Sequence, residues 1–459
     1  MTWPEAGDTI AALSTPPGEG GIGIVRLSGP EAAGIARRIF RPRTPRDSWQ
    51  SHRLYLGHIL DSQGHIIDEV LLTWMRAPHT YTREDVVEIH CHSGHAVLKA
   101  ILGEVLASGA RLARPGEFTL RAFLSGRLDL SQAEAVLEVI KARTQASLRV
   151  AAAHLSGGLG RRLGEVRAGL LQVLSPLEAA LDFPEEAAEL SPEAIKEGLS
   201  APRLALESLL GTYRHGRLLR EGVRVVLAGR PNVGKSSLLN RLLDADRAIV
   251  TDIPGTTRDV IEETLTLAGV PLCLSDTAGL RKARDLVEEL GVARSRERLA
   301  QADLILYLVD GSLPLALEDA QVLEELADRP VLIVVNKIDL PQKLQPEALF
   351  RYSSQPAVAV SALTGQGLEK LKQALVDMVL AGGVQTEGDM ITQTRHYELL
   401  TRAGEALAQA RALLDQPGPP WELVAHEVKD ALRALGEITG EEVGDAILDQ
   451  IFSQFCIGK

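Results

Sequence analysis

Eight consecutive residues, 229–236, have the composition of a phosphate-binding loop. Their sequence, Gly-Arg-Pro-Asn-Val-Gly-Lys-Ser, matches the pattern G-x-x-x-x-G-K-[ST]. Glycines let main-chain N–H groups approach phosphate oxygens, and a following helix adds the positive end of its dipole. In that geometry Lys235 would reach the β and γ phosphates, and the Ser236 hydroxyl would bind Mg²⁺. The alternative is an ordinary glycine turn between a strand and a helix.

Four later segments have the residue types that guanine-nucleotide binding requires. In residues 256–259, the Thr257 hydroxyl would supply a second Mg²⁺ ligand. Asp276 would hold Mg²⁺ through water, and Gly279 would offer its N–H to the γ phosphate. Asp339 ends an Asn-Lys-Ile-Asp sequence, and its carboxylate would accept from both guanine N1–H and the 2-amino group. Adenine lacks both donors, so this aspartate would select guanine.

The set of residues expected to bind GTP combines these motifs with residues 361–363, whose N–H groups would support the base. The set is Asn232, Val233, Gly234, Lys235, Ser236, Ser237, Thr251, Asp252, Ile253, Pro254, Gly255, Thr256, Thr257, Asp276, Thr277, Ala278, Gly279, Asn336, Lys337, Ile338, Asp339, Ser361, Ala362 and Leu363. Any one motif could be a turn, but five in this order predict a P-loop GTPase.

Composition limits the class of protein further. The chain has 459 residues, with 45% hydrophobic and 24% charged residues, which predicts about three globular domains. We find no apolar run long enough to predict a membrane span and no signal-peptide pattern at the N-terminus. Three scattered cysteines do not form a disulfide framework, so a cytoplasmic location is expected. The net charge of −12 implies that any RNA contact comes from a local patch, a partner or a domain built by dimerisation.

Periodicity divides the chain into four parts. Residues 1–124 predict an N-terminal α+β domain, and residues 125–221 are helical. Residues 222–382 alternate strand and helix, which predicts a mostly parallel sheet with helices on both faces, and residues 383–459 are helical again. The predicted fold class is therefore multidomain α/β, in which an all-α helical domain is interrupted by an inserted Ras-like P-loop G domain.

Local signals suggest element bounds and one other possible site. Ser131 and Glu134 predict a capping box at the start of a helix, and residues 155–181 predict another helix. His90, Cys91 and His92 could suggest a metal site, together with the nearby His95. On a strand, however, alternate side chains take opposite faces, so a strand end is the other interpretation.

Three sequences outside the GTPase motifs distinguish among GTPase families. Era-type and tandem-domain ribosome-assembly GTPases resemble this chain in the phosphate loop itself. The chain also has Thr-Pro-Pro-Gly with Gly-Gly-Ile-Gly in residues 15–23, and Arg-Pro-Gly-Glu-Phe in residues 114–118 with Leu-Asp-Leu in residues 128–130. It ends in Phe-Cys-Ile-Gly-Lys, residues 455–459. Together these resemble the MnmE (TrmE) family of tRNA modification GTPases over essentially the whole chain.

The resemblance implies an architecture and a set of partners. Residues 1–124 would bind formyl-tetrahydrofolate and form a homodimer, and the helical domain would carry the inserted G domain. The family works with the FAD-dependent flavoprotein MnmG (GidA) to install a carboxymethylaminomethyl or aminomethyl group at C5 of the tRNA wobble uridine. Two other functions are a ribosome-assembly GTPase of the Era type, which should carry a basic RNA-binding domain, and a folate-sensing regulator with idle turnover.

The resemblance also implies catalysis with K⁺ in place of an arginine finger. By motif position, Asn232, Thr251, Ile253 and Thr256 would hold K⁺, which would neutralise developing charge at the β–γ bridge. Glu288 matches the glutamate that orients the attacking water in the family. Its alternative role is as part of a solvated helix face.

The resemblance further assigns 5-formyltetrahydrofolate to Arg26, Glu88, Arg127 and Lys459. The carboxylate of Glu88 suits the donors of a pterin edge, and the basic residues suit the glutamate tail. Surface ion pairs are the alternative for Arg26 and Arg127.

Lys235, Glu288 and Cys456 are the expected catalytic residues. Cys456 is either a packed apolar residue or a reactive thiol near folate. Arg83 and Ser93 stand near Glu88 at positions where the family usually has glycine.

Overall fold

The structure is a computed structural model that describes residues 7–16, 18–45, 48–183, 190–245, 263–276, 302–345, 349, 352, 354–379 and 390–459. Its N-terminal elements are β1 (Ile10–Leu13), β2 (Gly20–Ser28), α1 (Ala32–Ile39), β3 (Phe40–Pro42), β4 (Arg53–Leu60), β5 (Ile66–Met75), β6 (Val86–Ser93), α2 (His95–Ala107), β7 (Arg111–Leu112) and α3 (Glu117–Leu124). The strands form one sheet in the order β3-β4-β5-β6-β2-β1-β7. All neighbours in it are antiparallel except the parallel pair of β1 and β7.

One face of this sheet forms the N-terminal core. Alternate residues such as Val25, Leu27 and Ile89 are fully buried and pack with Ile35 of α1 and Ile101 of α2. The opposite face carries the other residues of each strand, and several of its apolar side chains are exposed. A sheet with one buried and one open face is the usual antiparallel arrangement.

A helical region follows: α4 (Leu130–Lys141), α5 (Gln145–Leu155), α6 (Gly158–Asp182) and α7 (Pro192–Glu221). After the inserted sheet come α11 (Thr394–Leu414), α12 (Trp421–Thr439) and α13 (Asp445–Phe452). Helices α6, α7, α11 and α12 pack together around one continuous apolar core. Two helices before the insertion and two after it therefore complete one bundle, as the helical periodicity predicted.

The inserted region contains β8 (Val223–Ala228), α8 (Lys235–Ala245), β9 (Glu263–Leu267), β10 (Val270–Asp276), β11 (Leu304–Asp310), α9 (Leu317–Glu325), β12 (Val331–Asn336), β13 (Ala357–Ala359) and α10 (Leu368–Val379). Its sheet order is β13-β12-β11-β8-β10-β9, and only β9 is antiparallel to its neighbour. The strands are almost continuously buried, as parallel strands covered on both faces must be. The predicted fold class is confirmed.

Buried polar contacts join the helical region to the segment that leaves the inserted sheet. Glu138 of α4 accepts from Thr392 Oγ1 at 2.8 Å and Gln393 Nε2 at 3.2 Å. His154 of α5 contacts Glu138 at 3.3 Å through Nδ1 and the Met390 carbonyl at 2.8 Å through Nε2. The segment that leaves the inserted sheet is thus fixed to α4 and α5.

Two local predictions were wrong in detail. The N-cap of α4 is Asp129, not Ser131: Asp129 Oδ1 accepts from Gln132 N at 2.8 Å, and Gln132 Oε1 accepts from Asp129 N at 3.0 Å. Asp129 is the better cap because its carboxylate also accepts from Ser131 Oγ at 2.6 Å. The predicted helix 155–181 is divided, because Gly157 takes a φ of 81° between α5 and α6.

Among the described residues, no helix is both long enough and apolar enough to span a membrane.

Candidate functional site

The phosphate loop joins β8 to α8, and two of its glycines are required by close contacts with neighbouring strands. Gly229 has a φ of 137°, and a Cβ there would lie 2.4 Å from the Leu308 carbonyl oxygen. Gly234 has a φ of 99°, and a Cβ there would lie 2.3 Å from Asn336 Nδ2. No other residue fits these two positions without displacing the neighbouring strand. The pattern therefore forms a specific loop and is not an ordinary turn.

Lys235 lies across this loop. Its side chain is buried, and Nζ donates to the carbonyl oxygens of Gly229 and Arg230, both at 2.8 Å. These are contacts that a phosphate could replace, since an ammonium group binds phosphate oxygens as a point charge. Ser236 and Ser237 follow at the exposed start of α8, where a hydroxyl can reach a bound metal.

Asn336 connects three of the predicted motifs. Its Nδ2 donates to the Val233 carbonyl at 2.8 Å, and its Oδ1 accepts from Ala362 N at 3.0 Å. The side chain is almost fully buried. One amide therefore fixes the distance between the phosphate loop and the two segments expected to bind the base.

Asp339 and Ser361 form the base-binding part of the site. Ser361 is fully buried, and its Oγ donates to Asp339 Oδ1 at 2.6 Å while accepting from Thr364 N at 3.1 Å. Asp339 itself is exposed. Ser361 binds one of its two carboxylate oxygens, which leaves the other for a ligand. Ile338 is half-buried, and Leu363 is exposed beside this position.

Sequence reasoning missed Asp310, which supports the same edge. Lys337 has a φ of 67°, and its Nζ donates to Asp310 Oδ2 at 2.6 Å. Burial would raise the pKa of Asp310, but hydrogen bonds from Lys337 and Ser312 lower it, so the carboxylate stays charged. Its signal in the sequence was an acidic residue at the carboxyl end of a buried strand.

Several predicted nucleotide residues lie outside the described part of the chain. They are Thr251, Asp252, Ile253, Pro254, Gly255, Thr256, Thr257, Thr277, Ala278, Gly279 and Glu288. The main chain of Asp276 ends β10, next to the strand that leads into the phosphate loop.

A second site forms where the C-terminal segment meets the N-terminal sheet. Arg26 on β2 is paired in register with Glu88 on β6. Arg26 Nε donates to Glu88 Oε1 at 2.9 Å, and His90 Nε2 lies 3.2 Å from Glu88 Oε2. Arg26 also lies over the ring of Phe118, with its Cζ 5.8 Å from the ring centroid.

The C-terminal segment, residues 455–459, is bound to this site by main-chain contacts. Pro115 and Ile457 form a β-bridge, and Phe118 N donates to the main-chain oxygen of Lys459 at 3.2 Å. Gly458 accepts from Ser14 Oγ at 3.3 Å and Arg26 Nη1 at 3.5 Å. The segment is therefore an added strand-like edge, placed directly beside Arg26.

Apolar packing fixes the approach of this segment. Phe452 and Phe455 are buried, with ring centroids 5.6 Å apart, among residues of α3 and α4 such as Leu120 and Leu130. Gly116 has a φ of 67°, and a Cβ there would lie 2.7 Å from the Phe452 carbonyl oxygen. Cys456 follows immediately and is exposed.

Arg127 reaches the same region from the turn before α4. Its Nη1 donates to the Thr80 carbonyl at 2.6 Å, and its guanidinium lies 5.4 Å from the centre of the Tyr81 ring. Burial raises the pKa of Tyr81, and a hydrogen bond with Thr119 and the charges of Arg26 and Arg127 only partly offset this. Tyr81 was not predicted, because nothing in its sequence context distinguished it from a core residue.

Comparisons with known proteins show the family to which the chain belongs. The family model described as the MnmE helical domain matches residues 130–456, and the model of the GTP-binding protein TrmE N-terminus matches residues 9–127. The "tRNA modification GTPase MnmE" of Heliobacterium modesticaldum is 50% identical over 99% of this chain and 100% of its own length. The protein of the same name from Chloroflexus aurantiacus is 51% identical over 98% of this chain and 100% of its own length.

This chain belongs to the MnmE family. The matches span nearly the whole chain, so the predicted resemblance to MnmE is confirmed and is favoured over the Era-type alternative. Among solved structures, the G domain of the T. maritima FeoB iron transporter is 30% identical over 34% of this chain and 98% of its own length. The TM-score of 0.26 is too low to equate the two folds.

The two departures from the MnmE pattern have structural explanations. Arg83 has a φ of 61°, the left-handed region that favours glycine, and its Nη1 donates to the Ser125 carbonyl at 2.7 Å. Ser93 is buried and donates from Oγ to the Gly18 carbonyl at 3.0 Å. Both side chains therefore add contacts that a glycine could not make.

The histidine and cysteine residues of β6 lie as a strand requires. Cys91 is buried on the core face and donates to the Gly23 carbonyl at 3.4 Å. His90 contacts Glu88, and His92 contacts Asp68 at 2.8 Å. Each of the three side chains thus has its own partner, as the interpretation of this sequence as a strand predicts.

Proposed function

We propose that this member of the tRNA modification GTPases uses GTP hydrolysis to drive chemistry at a second site formed by its C-terminal segment. That chemistry is the installation of a carboxymethylaminomethyl or aminomethyl group at C5 of the tRNA wobble uridine, with an FAD-dependent MnmG (GidA) partner. The observation that carries the proposal is the position of residues 455–459. The segment that carries Cys456 contacts Arg26 through the Gly458 carbonyl, and it lies far in sequence from the separate framework for GTP.

The nucleotide framework supports GTP with Mg²⁺. Asp339 offers two carboxylate oxygens for guanine N1–H and the 2-amino group, with one of them already ordered by Ser361. Lys235 would exchange its carbonyl partners for the β and γ phosphates, and Ser236 would bind Mg²⁺, which supplies charge neutralisation at the phosphates. Residues of this chain thus orient the nucleotide before any partner binds.

We extend the proposal to K⁺ at Asn232, Thr251, Ile253 and Thr256, and to Glu288 as the residue that orients water. Asn232 is exposed in the phosphate loop and has a φ of 64°. Its side chain is therefore accessible to a cation bound beside the nucleotide. A monovalent cation there would offset charge that develops during hydrolysis. Hydrolysis should therefore be much faster in KCl than in NaCl at equal ionic strength. Equal rates in the two salts would remove K⁺ from the proposal.

We also propose that 5-formyltetrahydrofolate binds at Arg26, Glu88, Arg127 and Lys459. A carboxylate, two guanidinium groups and the rings of Phe118 and Tyr81 suit the donors, the flat pterin and the anionic tail of such a cofactor. The cofactor supplies a one-carbon unit. Both Glu88 oxygens already have partners, so the pterin would replace either Arg26 or His90.

A homodimer formed by the N-terminal region is part of the proposal. The open face of its sheet exposes Leu54, Leu56 and Leu71, and Leu56 and Leu71 are register partners. Contiguous exposed apolar side chains mark interaction surfaces. Sedimentation should show a dimer, and Leu56→Lys should weaken it, whereas Leu317→Lys, at a residue 79% exposed on α9, should not.

We also propose that the domains divide at residues 124, 221 and 382 and that the protein is cytoplasmic. The core of the inserted sheet includes Val150 of α5 and Leu219 of α7, so the G domain is packed on the helical region at this boundary.

The experiment that tests the proposed function is nucleoside analysis of tRNA from a strain that lacks this chain. The modified wobble uridine should be lost and should return when the chain is supplied. Unchanged tRNA would contradict a role in wobble modification. It would leave a folate-responsive regulator as the remaining function.

A further inference from the structure

One segment of this acidic protein is strongly basic. Residues 32–60, from the start of α1 to the end of β4, contain six arginines and one acidic residue, Asp47. The whole chain has a net charge of −12. Five of the six arginines, Arg37, Arg38, Arg41, Arg43 and Arg53, lie in the described part of the chain, and we refer to them as the arginine edge.

The arginine edge lies along the outermost strand of the N-terminal sheet. Arg37 and Arg38 are in the last turn of α1, and Arg41 is in the middle of β3, opposite His58 of β4. Arg43 continues the same edge, since its N–H donates to the Leu56 carbonyl at 2.9 Å. Arg53 begins β4. All five side chains belong to exposed residues.

The positive charges of the edge are not neutralised within the described chain. Arg38 donates to the Ser108 carbonyl at 2.7 Å and Arg53 to the Gln50 side-chain oxygen at 2.5 Å, and both acceptors are uncharged. No carboxylate of a described residue forms an ion pair with any of the five. By contrast, Arg26 and Arg121 each contact carboxylates at 3.1 Å or less.

An aromatic cluster gives part of the edge a defined shape. Arg37 lies over the Trp49 ring at 5.5 Å, and Trp49 packs on Tyr55 and Phe40 with ring centroids 6.1 and 5.9 Å apart. A guanidinium over a ring is attracted to the ring face, which restrains the position of the arginine side chain. Planar guanidinium groups bind phosphate oxygens in pairs, which is why arginine is common where nucleic acid backbones bind.

We propose that the arginine edge binds the phosphodiester backbone of tRNA. This inference rests on the proposed function, because it names the surface of the N-terminal region on which the substrate lies. An acidic protein needs a local basic surface for such a substrate, and phosphate contacts position RNA without reading its bases.

Two structural roles could also place arginine here, and both can be separated from RNA binding. A charged edge strand resists pairing with another sheet, and basic residues in the last turn of α1 interact favourably with the helix dipole. Edge protection depends on the presence of charge and not on its sign. Arg41 and Arg43 lie beyond the helix, so the double change Arg41→Glu and Arg43→Glu keeps edge protection and reverses only the attraction for phosphate.

The test compares the full-length protein with this double variant and a matched control. The control is the double change Arg214→Glu on α7 and Arg411→Glu on α11. Both arginines are exposed and lie outside the edge, and the control changes the net charge by the same amount as the edge variant. Affinity for an unmodified tRNA transcript is measured by fluorescence anisotropy across a salt series. The edge variant should bind at least about 10-fold more weakly. The slope of log K against log salt concentration should become less steep by roughly 0.7–0.9 for each phosphate contact removed. The control should bind like the wild type, and the Arg41→Lys, Arg43→Lys variant, which keeps both positive charges, should bind more tightly than the edge variant.

Two outcomes would overturn the inference. One is equal tRNA affinity and salt slope in the edge variant and the control. The other is loss of the dimer in the edge variant, because the arginines would then serve protein contacts. GTP hydrolysis without tRNA should be unchanged in every variant. Normal wobble modification by both variants would refute only this inference, whereas a wild type that neither binds nor modifies tRNA would refute the proposed function itself.

Discussion

The nucleotide site and the C-terminal site are built in opposite ways. Every described part of the nucleotide site comes from residues 229–363 and follows a strand of one parallel sheet. The C-terminal site combines β2, β6, the residues before α3 and the last five residues of the chain. The first is held by hydrogen bonds within one fold, and the second by the docking of a distant segment.

This difference means that the two sites should fail independently. Asn336 and Ser361 fix the base and phosphate segments without any contact from residues 455–459. The position of Cys456, in contrast, depends on bonds from residues 14, 26, 116 and 118. Changes in the tail should therefore alter modification and folate binding but not the intrinsic use of GTP.

The largest expected effect is at Asp339. An amide at this position in Asp339→Asn presents a donor where guanine N1–H needs an acceptor. GTP affinity should fall by up to roughly 10⁴-fold, and binding of xanthosine triphosphate should improve. Titration with fluorescent nucleotides measures both. Unchanged GTP affinity would show that Asp339 does not bind the base.

The next effect is at Gly458. It has a φ of 97°, and a Cβ would lie 2.0 Å from the Leu13 carbonyl oxygen, so Gly458→Ala should displace the tail. Gly64 has a similar φ of 86° but open space around it, so Gly64→Ala controls for backbone strain alone. Calorimetry should show folate binding weakened at least about 10-fold only in Gly458→Ala, with normal GTP hydrolysis in both. Equal folate affinity would mean that the tail does not form the site.

The smallest effect concerns the helical region that separates the two sites. Burial would raise the pKa of Glu134, but contacts from His396 and Arg395 lower it to about 2, below the value of an unfolded glutamate. Burial lowers the pKa of His396, and Glu134 offsets this only partly. For both Glu134 and His396, the unfolded state therefore binds a proton at a higher pH than the folded state does. The unfolding free energy should therefore decrease as pH falls from 7 toward 2, first because of His396 and then, below the unfolded glutamate pKa, because of Glu134.

Urea unfolding at several pH values measures this dependence. The glutamate should contribute on the order of 1–3 kcal/mol between its unfolded and folded pKa values. Glu134→Gln should be less stable at pH 7 and should change less with pH. A wild type that becomes more stable in acid would contradict the assignment.

The nucleotide site could be proposed from the sequence because its residues lie in short motifs at the ends of strands. Gly229, Lys235, Asn336 and Asp339 could each be named from local spacing, and the structure brings the described ones together. The bundle was predictable for a similar reason, since helical periodicity is a local property.

The C-terminal site could be anticipated only through the family resemblance. No spacing rule relates Gly458 to Arg26, because their contact depends on how α13 packs on α3 and α4. Tyr81 and the edge strand β3 were missed for the same reason. The N-cap of α4 was misplaced by two residues because both Asp129 and Ser131 are good caps, and the sequence does not show that Gln132 and Ser131 both hydrogen-bond to Asp129.

The most direct test of the account is to measure GTP hydrolysis and wobble-uridine modification on one preparation of Cys456→Ser. Cys456 is exposed and lies on a tail that contacts the Arg26 site, so the substitution should leave the fold intact. The account predicts K⁺-stimulated GTP hydrolysis near the wild-type rate, an unchanged melting temperature and no modified uridine. Normal modification by Cys456→Ser would contradict it, and so would loss of both activities with a lowered melting temperature.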